Sequence, residues 1–432
     1  MPKDKALSKL ISQEVERQQK TINLIPSENY VSQDILDVLG SPLTNKYSEG
    51  YPGKRYYAGN KYYDQIETLA QQRMLKLFKL TSKASHPERS EGSQKNSWHV
   101  NVQPYSGSPA NMEIYFALMD PGDVMMGMSL AVGGHLSHGH KVNFSGRIYK
   151  SVQYGVDSQT GLIDYDVLEK IAFEHHPRVI VSGHSAYPRE VDFKRIGMIA
   201  KKVGAFHVAD ISHIAGLVVA GLHQSPFEHA DIVMTTTHKT LRGPRGAVIF
   251  CREEYRERID RAVFPGMQGG PHNNVIAAIA EMAFEDSTAG FKKYQKQILK
   301  NAKALANALL NPNLNSLNFK LVTDGTDNHL MLIDLKTVEL DGQTAQDLLE
   351  KAGITVNRNA ILGDSSPFNP TGIRLGTPAI TTRGMKEKEM KKIAEWFRRV
   401  LIAKEDPEKI RKEVEEFCKN FPLPSVCVII NR

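Results

Sequence analysis

Four short apolar runs constrain the fold more than anything else in this chain. They are Val124-Met125-Met126, Val179-Ile180-Val181, the stretch from Ala205 to Ala209, and Ile232-Val233-Met234. Helical stretches separate them, the clearest running from about Phe193 to Val203 and stopping at Gly204. Apolar strands alternating with helices read as a mostly parallel sheet covered on both faces. Such sheets carry their functional loops at the carboxyl ends of the strands. The residues that follow each run are therefore the first place to look for chemistry.

The Ile232 run closes on Thr235-Thr236-Thr237-His238-Lys239-Thr240-Leu241-Arg242-Gly243-Pro244-Arg245. Gly-Pro stops a helix from starting and threonine hydroxyls bond locally, so the loop can hold one amine in a polar pocket. A desolvated lysine attacks carbonyls, which is how a Schiff base to an aldehyde cofactor begins. A lone lysine is otherwise a solvated surface group, and the reading needs support elsewhere. The Ala205 run ends in Asp210-Ile211-Ser212-His213. A carboxylate at a buried strand end is costly unless a cation pairs with it. The pyridinium nitrogen of pyridoxal phosphate is such a cation; a plain N-cap is the alternative.

Val100 to Pro104 reads as a further strand, followed by Tyr105-Ser106-Gly107-Ser108-Pro109-Ala110-Asn111 and a helix through Leu118. With Pro109 as first helical residue, this turn presents free N–H groups and a positive dipole end to an anion. It lacks the Gly-Lys-Ser/Thr ending of a Walker loop, and an ordinary capped helix competes with the phosphate reading. Leu130 to His140 sets His135, His138 and His140 in a glycine-rich loop. That spacing admits a metal, but no acidic ligand stands nearby in sequence, and stacking by an imidazole is preferred. The Val179 run delivers Ser185-Ala186-Tyr187-Pro188-Arg189.

Other segments are less regular. Leu7 to Lys20 fits a one-sided helix, and Ser27 or Asn29 is placed to open a second helix near Val31 to Leu39. Asn45 to Tyr57 packs four tyrosines, Glu49 and two glycines into thirteen residues. Phenols beside one carboxylate can line a polar pocket or an interface, and both hold if a site lies between subunits. Thr81 to Trp98 is polar, without apolar period, and reads as an exposed inserted loop. Phe264 to Pro271 is a second glycine-rich loop, and Arg374 sits on a short strand as a candidate carboxylate fork.

At 432 residues the chain exceeds one small core. The expected division is an N-terminal arm over 1–40, a large domain over 41–290 with the 81–98 loop, and a small α/β domain over 291–432. Lys+Arg 55 against Asp+Glu 48 gives a mild +7 with no block of like charge, which suits small anions and argues against a nucleic-acid arm. Cys251, Cys418 and Cys427 lack metal or disulfide spacing. The start of the sequence is polar and no run is long enough for a bilayer, so the expected setting is cytoplasmic, without a membrane.

Lys239, Asp210, the Ser106 turn and Arg374 supply an amine, a pyridinium partner, a phosphate cup and a carboxylate clamp. With them the chain resembles serine hydroxymethyltransferase over nearly its whole length. The resemblance is carried by Leu24-Ile25-Pro26-Ser27-Glu28-Asn29, Leu43 to Tyr57, Asn143 to Gly146, Gly161 to Tyr165, Thr235 to Arg245, Val263 to Pro271, Gly325 to His329 and Gly372 to Pro378. It implies a fold-type I pyridoxal-phosphate enzyme, with a mostly parallel seven-stranded sheet and a smaller C-terminal α/β domain. It implies reversible transfer of the serine hydroxymethyl group to tetrahydrofolate, giving glycine and 5,10-methylene-tetrahydrofolate through aldimine and quinonoid intermediates.

Residue by residue, the resemblance makes Lys239 the aldimine lysine and Asp210 the partner of the ring nitrogen. His135 would stack on the ring, with His213 and Ser185 at its phenolic side. Ser106, Gly107 and Ser108 would hold the phosphate, helped by Gly269 and Gly270 of a second subunit in a homodimer. Arg374 and Ser27 would bind the amino-acid carboxylate. Glu49 would handle the proton on the hydroxymethyl group or folate, with Tyr47 and Tyr57 lining the pocket from the neighbouring chain, and His238 would tune specificity. Leu130, Gly134, Leu136, Asn359 and Ser366-Pro367-Phe368 would frame the folate. No metal is implied. Tyr105 and Val132 stand where the family usually has histidine, Pro188 where it has serine, and Ser212 where it has alanine. A folate-independent β-hydroxy-amino-acid aldolase and a catalytically silent scaffold or RNA-binding relative are the alternatives.

Overall fold

The computed structural model describes residues 3–82, 97–310, 319–364 and 369–424. Most of the 81–98 loop, Cys427 and Ser366 to Phe368 lie outside them. Two compact units result: one of residues 34–185 and 190–293, the other of 1–33, 186–189 and 294–432.

The larger unit is built on seven strands: β1 (Trp98–Asn101), β2 (Val124–Met128), β3 (Lys150–Tyr154), β4 (Val179–Ser182), β5 (Phe206–Asp210), β6 (Ile232–Thr236) and β7 (Ala247–Arg252). Their order across the sheet is β1-β7-β6-β5-β4-β2-β3. β7 runs antiparallel to both β1 and β6, while the remaining pairs are parallel. Every residue of β4 and of β6 is buried, as strands covered on both faces must be. The helix Phe193–Val203 shows why its sequence folds as it does. Asp192 accepts from the Arg195 N–H as N-cap, Phe193, Ile196, Ile199 and Ala200 face inward, and Gly204 closes it at φ +71°. Each such fully buried isoleucine contributes about 1.5–3 kcal/mol.

The second unit holds an antiparallel sheet of β8 (Lys320–Leu321), β9 (Leu330–Asp334), β10 (Asn357–Asn359) and β11 (Gly372–Gly376), ordered β8-β9-β11-β10. Its core gathers Ile22, Leu24, Leu321, Ile333, Trp396 and Phe397. Ile22 and Asn23 pair in parallel with Ile354 and Thr355, which brings the N-terminal segment into this unit. Arg383 secures it by donating to the Thr21 and Gln19 carbonyls at 2.6 and 2.9 Å, at the C-terminal end of the helix Lys5–Lys20.

Two local expectations need correction. The helix after the Ser106 turn begins at Gly107, so Pro109 is its third residue, still within the first turn where a missing N–H costs no helical bond. The helix expected near Val31 covers Gln33–Leu39, so neither Ser27 nor Asn29 stands next to its first residue. The Asn29 Oδ1 accepts from the Tyr30 N–H and the Thr382 hydroxyl. Among the described residues no helix is long and apolar enough to cross a membrane.

Directly after β4, Gly183 adopts φ +112°, and a Cβ there would lie 1.9 Å from the Asp210 carbonyl oxygen. Only glycine lets the β4 and β5 ends approach this closely. Gly183→Ala is expected to cost at least about 1–3 kcal/mol from the backbone conformation alone. Urea denaturation checks this, and an unchanged midpoint would show that the two strand ends can separate freely.

Candidate active site

Asp210, Lys239 and the loops holding His135 and Ser185 stand at or just beyond the carboxyl ends of the parallel strands. Asp210 is the last residue of β5 and is buried. Its Oδ2 accepts from His138 Nε2 and Asn111 Nδ2, both at 3.1 Å, and its Oδ1 accepts from the Ser212 N–H at 3.0 Å. Burial alone would raise this carboxyl. The His138 hydrogen bond and charge, with the field of Lys239, overcome it and hold Asp210 far below the usual carboxylate range. Asp210 is therefore an anion in the interior, fixed in orientation and close enough to Lys239 to feel its charge.

His138 had no role beyond the histidine loop at the sequence level, and Asn111 none at all. The signal for His138 was its place in that loop; its partner, 72 residues on, comes only from the fold. The histidines do not converge on a shared ligand position: His138 turns to Asp210, while His135 Nδ1 meets Ser137 Oγ at 2.7 Å. Ser137 also accepts from Asn111 at 2.8 Å, so His135, Ser137, Asn111, Asp210 and His138 form one connected network. Gly133 accepts from the Ser185 N–H at 2.8 Å, joining the loops after β2 and β4. His184, beside Ser185, is a further group that sequence reading missed. Burial and the cationic surroundings of His223, His138 and Lys239 pull it down to about 3.

Lys239 follows β6 in a loop fastened by threonines. Thr237 Oγ1 donates to the Pro244 carbonyl at 2.6 Å, and Thr240 Oγ1 donates to the His213 carbonyl at 3.0 Å. His238 is mostly buried, and burial with the charges of Lys239 and Arg245 holds it down to about 3, so it is neutral at physiological pH. Ser212 bridges the strand ends, its hydroxyl accepting from the Thr236 N–H at 3.1 Å.

The Ser106 turn meets the same edge. A Cβ on Gly107 would lie 2.6 Å from Thr236 Cγ2, so only glycine lets the helix start this close to β6. Ser106 makes no side-chain cap, which leaves the Gly107 and Ser108 N–H groups facing outward at the positive end of the helix. Thr236 Oγ1 is buried and has no hydrogen-bond partner among the described residues. An uncapped helix start and an orphaned hydroxyl thus lie together at this edge of the sheet.

Glu49 lies on the hairpin Gly50–Tyr51/Lys54–Arg55 that Arg55 organises from within. Arg55 donates to the Ser48 and Gly50 carbonyls at 2.8 and 2.7 Å, on either side of Glu49, and to Glu67 at 2.6 Å and Asp64 at 2.8 Å. Tyr47 and Tyr57 meet edge-on at 5.1 Å and remain 54% and 47% exposed. The Gly269-Gly270 turn lies beside them: a Cβ on Gly269 would be 3.1 Å from Glu49 Oε1, and one on Gly270 3.1 Å from the Tyr47 ring. Leu130 opens a short 3-10 turn, Gly134 passes within bonding reach of Ser129, and Leu136 is 41% exposed.

In the other unit Arg374 occupies the middle of β11, opposite Leu332 and Asn357. Its Nε donates to Asn357 Oδ1 at 3.0 Å, which orients the fork, and burial lowers it to about 10, so it stays cationic. The Ser27 turn adjoins this strand, since the Gly376 N–H donates to the Leu24 carbonyl at 2.7 Å. Asn359 lies on β10 and donates to the Ala360 carbonyl at 2.6 Å.

A family model for serine hydroxymethyltransferase matches residues 1–397. The chain belongs to the serine hydroxymethyltransferase family. It is a fold-type I, pyridoxal-phosphate-dependent transferase that interconverts serine and glycine with tetrahydrofolate as co-substrate.

One buried acid has no place in this chemistry. Glu113, on the helix Gly107–Leu118, is fully buried, and neither carboxylate oxygen has a partner among the described residues. Burial pushes it up to about 8. A carboxyl raised above its unfolded value stabilises the fold below about pH 4.5 and loses that stability as pH rises toward 8. Glu113→Gln is therefore expected to raise stability at pH 8 by on the order of 2–4 kcal/mol while changing little at pH 4.5. Urea midpoints at the two pH values check it; equal shifts at both would refute the titration.

Proposed function

We propose that Lys239 carries the pyridoxal phosphate and that Asp210 keeps the cofactor's ring nitrogen protonated. The observation that supports this most directly is the buried Asp210 anion, held by His138, Asn111 and the Ser212 N–H within the field of Lys239. When bound, the cofactor supplies the electron sink for cleavage of the serine Cα–Cβ bond. Gly107 and Ser108 offer backbone N–H groups to its phosphate, and the unpartnered Thr236 hydroxyl lies at the same place. His135 is assigned the ring face, and Ser185 and His213 the phenolic oxygen. A neutral His238 beside Lys239 leaves the amine free of a second adjacent cation. Arg374, with Ser27, binds the amino-acid carboxylate in two parallel hydrogen bonds. Glu49 moves the proton of the hydroxymethyl oxygen, and Leu130, Gly134, Leu136 and Asn359 contact folate; Ser366, Pro367 and Phe368 complete that assignment outside the described residues.

The same reading makes the enzyme a homodimer with shared sites. Tyr47, Tyr56 and Tyr57 are 54%, 76% and 47% exposed on one chain, an unusual aromatic surface around a carboxylate. Buried thiols at Cys251 and Cys418 support a reducing, cytoplasmic setting.

Purified protein with pyridoxal phosphate is expected to absorb as a lysine-bound cofactor, and to cleave serine with strong dependence on tetrahydrofolate. Lys239→Ala should lose both the absorbance and the borohydride-fixed adduct. Retention of the adduct in that variant would place the cofactor on another lysine. Sharing of the site has its own check: two inactive variants, Lys239→Ala and Glu49→Ala, should regain activity when mixed under conditions that exchange subunits. If the mixture stays silent although subunits exchange, Glu49 serves the site of its own chain.

A further inference from the structure

Tyr105 stands between the two segments assigned to the phosphate, and its contacts point both ways. It immediately precedes Ser106-Gly107-Ser108. Its hydroxyl donates to the Gly270 carbonyl at 2.8 Å, and its backbone N–H donates to Gln268 Oε1 at 2.9 Å. Its ring stacks on His272 with centroids 4.2 Å apart and planes 9° from parallel. Gln268 returns a hydrogen bond to the Gln103 carbonyl at 3.0 Å, so the turn from Gln268 to His272 is fastened to the segment before the cup by four separate contacts.

Two consecutive glycines have no side chains to hold them and the largest backbone freedom to lose. On one side Gly269 and Gly270 are confined by Glu49 and the Tyr47 ring. On the other, the Tyr105 hydroxyl fixes the peptide plane between Gly270 and Pro271. The Gly270 N–H bonds to no acceptor among the described residues, so it is a donor this turn can offer.

We propose that Tyr105 is a positioning residue: its hydroxyl holds the Gly269-Gly270 turn in the one conformation that presents the Gly270 N–H to a cofactor phosphate. The inference rests on the assignment of that turn to the phosphate. It makes Tyr105 a link between a chain's own cup and the turn that the chain contributes to a neighbouring site. The residue touches neither the amino acid nor the reacting carbon.

The test titrates the apo form of the full-length enzyme with pyridoxal phosphate and with pyridoxal, following the lysine-bound absorbance. Tyr105→Phe keeps the ring on His272 and removes the hydroxyl. It is expected to weaken pyridoxal phosphate about two- to tenfold, the worth of one neutral hydrogen bond, with pyridoxal affinity and melting temperature unchanged. Tyr105→His, which keeps a ring and a ring N–H, should restore most of the difference. Wild-type phosphate affinity in Tyr105→Phe overturns the proposal, as does an equal loss for both ligands matched by a lower melting temperature, since that is a packing effect. Should Tyr105→Phe not fold, Tyr105→His decides: folded protein that keeps the preference for the phosphorylated ligand supports the role, and folded protein that loses it overturns it. A wild-type enzyme that binds the two ligands alike would refute the phosphate assignment itself, a result distinguishable from failure of Tyr105 alone.

Discussion

The arrangement depends on one anion kept inside the protein. An ionised aspartate in the interior is stable only when its oxygens are saturated with donors and a cation stands near. Asp210 meets both conditions through an imidazole, an amide and a backbone N–H, supplied by three different segments. Because those donors come from the loop after β2, the helix after the Ser106 turn and the turn after β5, satisfying one carboxylate fixes three elements at once. Gly183 completes the constraint by allowing β4 to close on the Asp210 carbonyl. These contacts are all made by the chain's own groups and hold the carboxylate in one orientation.

A buried cation organises the outer part of the proposed site. Arg55 is almost wholly buried, paired with Glu67 and Asp64, and uses its remaining donors on the carbonyls flanking Glu49. Glu49 thus projects from a hairpin whose backbone cannot shift without breaking a buried ion pair, a change that costs several kcal/mol. The Ser48 hydroxyl donates to Asn273 Oδ1 at 2.7 Å, tying the hairpin to the helix that follows the Gly269-Gly270 turn. Glu49, Tyr47 and the glycine turn therefore act as one rigid edge on which the exposed tyrosines are displayed.

The departures from the family pattern have physical consequences of different kinds. Ser212 uses its hydroxyl to bridge β5 and β6, a bond that an alanine could not make, and so reinforces the strand ends beside Asp210. Tyr105 spans from the cup to the glycine turn. The Pro188 carbonyl accepts from the Asp327 N–H at 2.8 Å, which ties residues 186–189 to the unit that holds β9. Nothing in the described residues explains Val132.

Much of this was legible in the chain alone. Apolar runs of strand length, each followed by polar or glycine-rich residues, determine a mostly parallel sheet, because only strands covered on both faces need such runs. A lysine among threonines before Gly-Pro, and an aspartate at the end of a buried run, stand out in the sequence as candidates, beside the surface-lysine and N-cap readings. What the tertiary structure decided is which distant groups satisfy those residues. His138 as partner of Asp210, Asn111 reaching back from the cup helix, and Arg55 beneath Glu49 are contacts between segments far apart in sequence. The stranded carboxyl of Glu113 is of the same kind. Periodicity reports which face of an element is buried, but hydrogen-bond satisfaction is settled only when separate elements meet, so these partners became visible only in the fold.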